Sequence, residues 1–425
     1  MLDRALEHQV PVRDVWVERF WPSGGQGFRF EWSFRTTGRR RFTLYGQVGA
    51  HDFSADCSRG RFTPGGLRGM RIHLPDENLL LHTPDCDAKM PHIAACLSGD
   101  TISAGMRNWR GRSADAAGML DARLLGYKPG RRAAFRFRLK SDGATVATRM
   151  GKTFRDPRGI RLLETHRLLN SQFAAASAGR WRVPEPLDFV PELKLAVFSW
   201  ATGQGVQPRR RLSVARHCAA IEVLSGLHAA TIPELATFSR TDELRVSSRW
   251  LTALERIDAQ RAGPGLRLLE RLAVLAEQLA PARHRTIHRD FYEKQLIWDG
   301  RTTTLLDLDT LASGEAALDL GNYLAHLYLH DAQSAPAEAG SSEHRLFEVF
   351  ATLLAHYERT GGAVDRAAVL FYCASSLVRG GALHALRTVT QPHAPGMWEL
   401  AGRMLSGKSR FEVIGADKRA PGDNA

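Results

Sequence analysis

Residues 287–327, IHRDFYEKQLIWDGRTTTLLDLDTLASGEAALDLGNYLAHL, concentrate the side chains that could do chemistry. An acid, Asp290, ends the short polar loop His288-Arg289-Asp290. The apolar segment LIW (296–298), an Asp-Gly turn at 299–300 and the segment TTTLLDLD (302–309) then read as a hairpin. Alternation along the second strand would put Asp307 and Asp309 on one face, Leu306 and Leu308 on the other. With one acid before its first strand and others ending its second, such a hairpin brings carboxylates together. Two acids so placed suit a metal ion plus a general base, because magnesium takes a few carboxylate or amide oxygens and shares its other positions with phosphate and water.

These residues need a frame, and the two halves of the chain supply different ones. WVERFW (16–21), GFRFEWSF (27–34) and RRFTLYGQV (40–48) read as strands between Gly turns. After about residue 205 the pattern turns helical, at 214–229, 250–260 and 266–280, with further helices near 344–358 and 364–388. Strands followed by helices, rather than alternation, define an α+β class. Residues 18–48 and 123–154 echo one another. Each runs aromatic, Pro, Gly-rich turn, F-R-F strand, Gly turn, and a last strand in which Gln47 stands where Lys152 stands. Between them, 73–97 reads as loop followed by a short helix. The expected division is a β-rich extension at 1–112, either a degenerate repeat or a chance likeness of hairpins, then units at 113–203 and 204–415, with a disordered tail at 416–425.

The chain has 425 residues, 44% hydrophobic and 24% charged, which excludes a mainly disordered protein. No apolar run is long enough to span a bilayer, and the start lacks a secretory signal's apolar segment. The five cysteines Cys57, Cys86, Cys96, Cys218 and Cys373 form no CxxC pair and fit buried thiols in a reducing cytoplasm. Net charge is +13, partly local, with twelve Lys or Arg against four Asp or Glu from Asp121 to Glu164. That stretch suits an anion. No helix-turn-helix, RNP or zinc-finger pattern accompanies it, so nucleic acid is the lesser reading.

The 287–327 segment resembles the catalytic and metal loops of the aminoglycoside phosphotransferase and choline kinase superfamily, whose pattern is H-G-D-x-x-x-x-N, a hairpin, then I-D-[WF]-[DEG]. The resemblance implies a bilobal protein-kinase-like fold with ATP and Mg²⁺ as cofactors. Carried over by position, Asp290 matches the catalytic acid, Asp307 the metal aspartate, and Asp319 the helix acid that braces the catalytic loop. Gln295 falls where a metal-binding Asn usually stands, and Gln there is similar to the maltokinase-like branch. Arg289 replaces the usual Gly.

Residues 122–154 read as three antiparallel strands, and the resemblance makes them the ATP lobe. Lys152 then matches the lysine on the α- and β-phosphates, ahead of Lys140 and Arg149, and Glu164 on the following helix (158–173) its paired acid. There is no GxGxxG. Backbone N–H groups and arginines of the turn Lys128-Pro129-Gly130-Arg131-Arg132, Arg131 among them, would cover the phosphates instead. The hinge that receives adenine falls at Ser199 to Thr202, including Trp200 and Ala201. His228 reads as a packed structural histidine. His326 and His330, four apart, read as packing or substrate contacts rather than metal ligands.

What the resemblance implies is an ATP-dependent kinase for a hydroxyl on a small molecule: a sugar, amino sugar, amino alcohol or aminoglycoside. The rival is a nucleotide-binding protein that has abandoned turnover. Oligomeric state is left open.

Overall fold

The computed structural model describes residues 12–22, 27–36, 41–49, 58–63, 66–74, 76–98, 119–141, 143–205, 214–334 and 339–406, without the side chains at 58–63, 66, 119, 141, 330–334 and 339–347. Cys57, the 112/113 boundary, the His330 side chain and the 416–425 tail lie outside them. The chain forms two units, residues 1–167, 184–200 and 386–389 in one, and 168–183, 201–385 and 390–425 in the other.

The first unit holds two antiparallel sheets. Strands β1 (Val12–Pro22), β2 (Phe28–Thr36), β3 (Arg41–Val48), β4 (Ser58–Thr63), β5 (Gly66–Leu74) and β6 (Leu79–His82) pair in the order β1-β2-β3-β6-β5-β4. Alternation in β2 turns Phe30 and Phe34 onto a core with Phe42, Leu44, Met70, Leu79 and Leu81. The loop expected over 73–97 contains β6. Its Leu79-Leu80-Leu81 run lacks alternation because all three side chains are buried. The short helix α1 (His92–Leu97) follows.

The second sheet comprises β7 (Met119–Lys128), β8 (Arg132–Ser141) and β9 (Ala144–Phe154), then, after helix α2 (Gly159–Ser177) and the short β10 (Trp181–Arg182) of the other unit, β11 (Pro186–Val190) and β12 (Leu195–Ser199). Their order is β11-β12-β9-β8-β7. One core joins Phe135, Phe137, Leu195 and Val197 of this sheet to Tyr45 of β3 and to Met90, Ile93 and Cys96 at α1. Each such fully buried side chain contributes on the order of 1.5–3 kcal/mol. The N-terminal sheet is therefore packed onto its neighbour. Burial pushes the Cys96 thiol up to about 12 and the Cys373 thiol up as well, as expected of inert core cysteines.

The second unit is mainly helical: α3 (Val214–Ala229), α4 (Arg240–Glu255), α5 (Ala259–Gln278), α6 (Ala316–Ser334), α7 (Ala339–Arg359), α8 (Arg366–Ala385) and α9 (Ala394–Leu405). Helix α4 starts ten residues before its apolar pattern becomes readable, because Ser239 and Asp242 form a reciprocal capping box. Helix α8 is buried along most of its length, with α4, α5, α6 and α9 packed around it. The α6–α8 crossing depends on Gly321, where a Cβ would sit 2.5 Å from the Cys373 backbone nitrogen. The remaining strands are β13 (Gln204–Gly205), β14 (Thr237–Phe238), β15 (His284–Ile287), β16 (Leu296–Trp298), β17 (Thr303–Leu305) and β18 (Ala312–Glu315). They form the sheets β10-β17-β16-β13 and β14-β18-β15.

Candidate active site

The loop carrying Asp290 leaves β15 and is held from beneath by α6. Asp319, fully buried in the first turn of that helix, accepts the backbone N–H of His288 and of Arg289, both at 2.7 Å, and the Nε2–H of His228 at 3.1 Å. His228 in turn pairs through Nδ1 with the Tyr357 hydroxyl at 2.7 Å, so it is a packed structural histidine. His288 is also buried. Its Nδ1 accepts the Asp290 N–H at 3.3 Å, which leaves Nε2 to carry the proton and donate to the Leu306 carbonyl at 2.8 Å. Leu306 N–H bonds the Gln295 carbonyl at 2.8 Å, so one side chain ties the acid loop to the end of the hairpin.

Arg289 explains why glycine is usual at its position. Its φ is +69°, in the left-handed region. The guanidinium lies 3.7 Å from the centre of the Phe238 ring on β14, a cation–π contact that offsets part of the backbone cost. Asp290 is exposed at the loop's end, and the Gln295 amide nitrogen donates to its Oδ2 at 3.4 Å.

The hairpin has the expected first strand and turn, with Asp299 Oδ1 accepting the N–H groups of Arg301 and Thr302. Its second strand is shorter than expected. Regular pairing ends at Leu305, Asp307 takes a left-handed φ of +55°, and Leu308–Thr310 is a 3₁₀ turn. Asp307 and Asp309 therefore do not share a strand face. The acid is delivered by a break in the strand, not by its alternation. Among the described residues no three His, Cys, Asp or Glu cluster as a metal centre, His326 included. His326 stacks on Tyr292, ring centres 4.4 Å apart.

In the first unit Lys152 is buried on β9. Its charge adds to the burial that holds His166, on α2, down to about 3, and His166 binds the Pro184 carbonyl at 2.7 Å. Glu164 behaves otherwise. It is exposed on α2 and forms no ion pair with Lys152, because the helix turns Thr165 and His166 inward at that point. Arg149 donates to the Thr148 carbonyl. Arg131 sits in a Pro-Gly type II turn, closed by its N–H on the Lys128 carbonyl at 3.0 Å, with Gly130 at φ +64°. At the end of β12, Ser199 and Glu185 exchange two hydrogen bonds. The backbone groups of Trp200 and Ala201 that follow make no hydrogen bond among the described residues.

Residues 134–345 match the model of the phosphotransferase enzyme family, a span that contains Lys152, Glu164, Trp200, Ala201, Asp290, Gln295 and Asp307 but not Arg131. The fold agrees with that of a choline kinase from Cryptosporidium parvum Iowa II, at TM-score 0.51 and 9% identity over 74% of this chain and 96% of that one. A choline kinase from Streptococcus pneumoniae is similar at 0.43, 14% identity, 71% and 98%, and a choline/ethanolamine kinase family protein from Mesorhizobium loti at 0.44, 16%, 74% and 98%. No curated protein matches the sequence significantly. The α+β architecture, a β-rich first half and a helical second, is thus a kinase-like one. Residues 134–345 thus carry a similarity to the phosphotransferase enzyme family, and the fold is similar to that of a choline kinase. No helix among the described residues is long and apolar enough to cross a membrane.

Proposed function

We propose that the chain transfers the γ-phosphoryl group of ATP to a hydroxyl of a small molecule, a sugar, amino sugar, amino alcohol or aminoglycoside. The observation that carries this reading is the Asp290 loop: an exposed carboxylate on a backbone fixed by the buried Asp319, with Gln295 beside it. Phosphoryl transfer needs positioning more than covalent chemistry, and a rigid acid-bearing loop is a positioning device. Asp290 orients the acceptor hydroxyl and takes its proton as the new P–O bond forms. Lys152 holds the α- and β-phosphates, and Trp200 and Ala201 offer backbone groups to the adenine edge. Gly130 and Arg131 N–H groups are already bonded within the protein, so Arg131 meets phosphate through its side chain.

Mg²⁺ fits the donor set. The Asp307 carboxylate and Gln295 amide oxygen are hard ligands, and Gln295 turns its nitrogen, not its oxygen, to Asp290. When bound, the ion would supply charge neutralisation at the phosphate oxygens. A sugar is favoured as acceptor by the Gln at 295 and by the N-terminal extension. A polycationic aminoglycoside is disfavoured by a net charge of +13. The test is transfer of radiolabelled γ-phosphate from ATP with Mg²⁺ onto a panel of sugars, amino sugars, amino alcohols and aminoglycosides. Mg²⁺-dependent ATP binding without transfer to any of them would replace the kinase reading with that of a non-catalytic nucleotide binder.

A further inference from the structure

The two sheets of the first unit follow one plan. Across the N-terminal sheet, Arg29, Gln47, Leu80 and His73 stand side by side in β2, β3, β6 and β5. Across the second, Ala134, Lys152, Ala196 and Phe189 stand side by side in β8, β9, β12 and β11. Over five strands the order is the same, a three-stranded meander followed by the last strand of a hairpin inserted against it, and β4 is an added edge strand of the first sheet. The hairpin turns read LPDENL (74–79) and VPELKL (190–195), and Asn78 and Lys194, at equivalent places, have φ of +47° and +46°.

At the hairpin's end the agreement extends to hydrogen bonds. Thr83 accepts the Met70 N–H on its hydroxyl at 3.0 Å and donates its own N–H to the Met70 carbonyl at 2.9 Å. Ser199 does the same with Glu185, both at 2.8 Å. This register puts Phe30, opposite Gly46, at the place of Phe135, opposite Gly151, so the two F-R-F runs are offset by two residues. Gln47 still falls on Lys152.

We propose that the N-terminal sheet is a second copy of the sheet that bears Lys152, and that its counterpart of the hinge has become a positioning device for the Lys128–Arg132 turn, with Asp87 as the residue that does it. Position 87 stands where Gly203 stands after Ser199. Asp87 is buried, and its carboxylate accepts three donors: the Tyr127 hydroxyl at 2.5 Å, the Gly130 N–H at 2.7 Å and the Lys89 N–H at 2.9 Å. Arg29, which stands at the place of Ala134, donates to the Pro129 carbonyl at 3.1 Å. The first copy thus grips the turn by one N–H and one carbonyl, using two positions at which it differs from the second. Tyr127 is fixed in the same grip, its ring edge-on to Tyr45 at 4.5 Å.

The effect on catalysis rests on the reading above, that Arg131 contacts phosphate. The test uses the full chain. Hydrogen exchange of the peptide spanning residues 126–133 is compared in wild type, Asp87→Ala and Asp87→Asn, with steady-state KM for ATP and for the acceptor. Asp87→Ala is expected to speed exchange at Gly130 and raise KM for ATP about tenfold, the loss of roughly one charge-assisted hydrogen bond. The acceptor KM and kcat should move less than twofold, and Asp87→Asn, which keeps the shape and one acceptor, should recover part of the effect. Unchanged exchange in both variants overturns the grip. Faster exchange with an unchanged KM for ATP overturns the positioning role. In that case Arg131→Ala separates the causes, since an equally unchanged KM there places the fault in the phosphate reading. Should Asp87→Ala fail to fold, Asp87→Asn alone decides on the same readouts.

Discussion

The buried carboxylate of Asp319 and the backbone of His288, 31 residues earlier, meet at 2.7 Å, and a second oxygen of the same group holds Arg289. A buried charge is tolerable only when its donors are all present, and here it has two N–H groups and the His228 imidazole. Asp319→Ala should cost about 3–5 kcal/mol, because it strands all three donors. Asp319→Asn, which keeps one acceptor oxygen, should cost less. Denaturant titration of both variants checks the order, and wild-type stability in the alanine variant would contradict it.

Asp290→Asn removes a base from an exposed position without changing volume. Turnover should drop roughly 10²–10⁴-fold with ATP affinity and melting temperature nearly unchanged. A variant that still phosphorylates its acceptor at the wild-type rate would show that Asp290 takes no proton.

Asp307→Ala should abolish the strengthening of ATP binding by Mg²⁺ and with it phosphoryl transfer. Calorimetric titration of ATP with and without Mg²⁺ reads this directly. If the Mg²⁺ effect survives, Asp309 is the residue to examine next.

Lys152→Ala should weaken ATP binding or turnover by at least tenfold, about 1.4 kcal/mol. Glu164→Ala should change either by less than twofold, since Glu164 is exposed and does not touch the lysine. Their effects should add in the double variant. A cycle with strong coupling would mean that the pair forms once nucleotide is bound.

Buried histidines make stability fall with acid. Burial holds His166 at about 3 and His217 at about 4, below their ordinary value, and buried His82 shifts the same way. A depressed histidine lends stability that is complete above its unfolded pKa, near 6.5, and is lost as pH falls toward the folded value. His166 and His217 should each cost about 1.4 kcal/mol at one pH unit below 6.5. Urea unfolding between pH 7.5 and 5.5 should show this decline, and His166→Gln should flatten it by about one proton.

The acid loop and its hairpin were readable because their determinants are consecutive: an acid, an apolar triplet, an Asp-Gly turn, a second acid. Helix α3 was readable to the residue, since apolar residues recur at three and four spacing through Ala220, Ile221, Val223, Leu224 and Leu227, all of them buried. Three things depended on groups far away in the chain. The Leu79–Leu81 strand hid because burial of every side chain erases alternation. Glu164 is matched to the lysine's paired acid by the resemblance and its spacing from Lys152, but α2 turns Thr165 and His166 inward beside it. Asp87 gave no signal at all as one acid in a polar loop. Its role exists only because Tyr127 and Gly130 return to it some forty residues later.

The left-handed Arg289 and the ring of Phe238 also constrain the order in which this chain can change. Replacing Arg289 by Gly relieves the backbone and leaves an ordinary aromatic on β14, so that step is nearly neutral. Losing Phe238 first leaves a strained arginine with nothing beneath its guanidinium. One path between the two states is therefore level and the other descends before it rises. Lineages that drift away from this arginine should pass through glycine before the aromatic is lost.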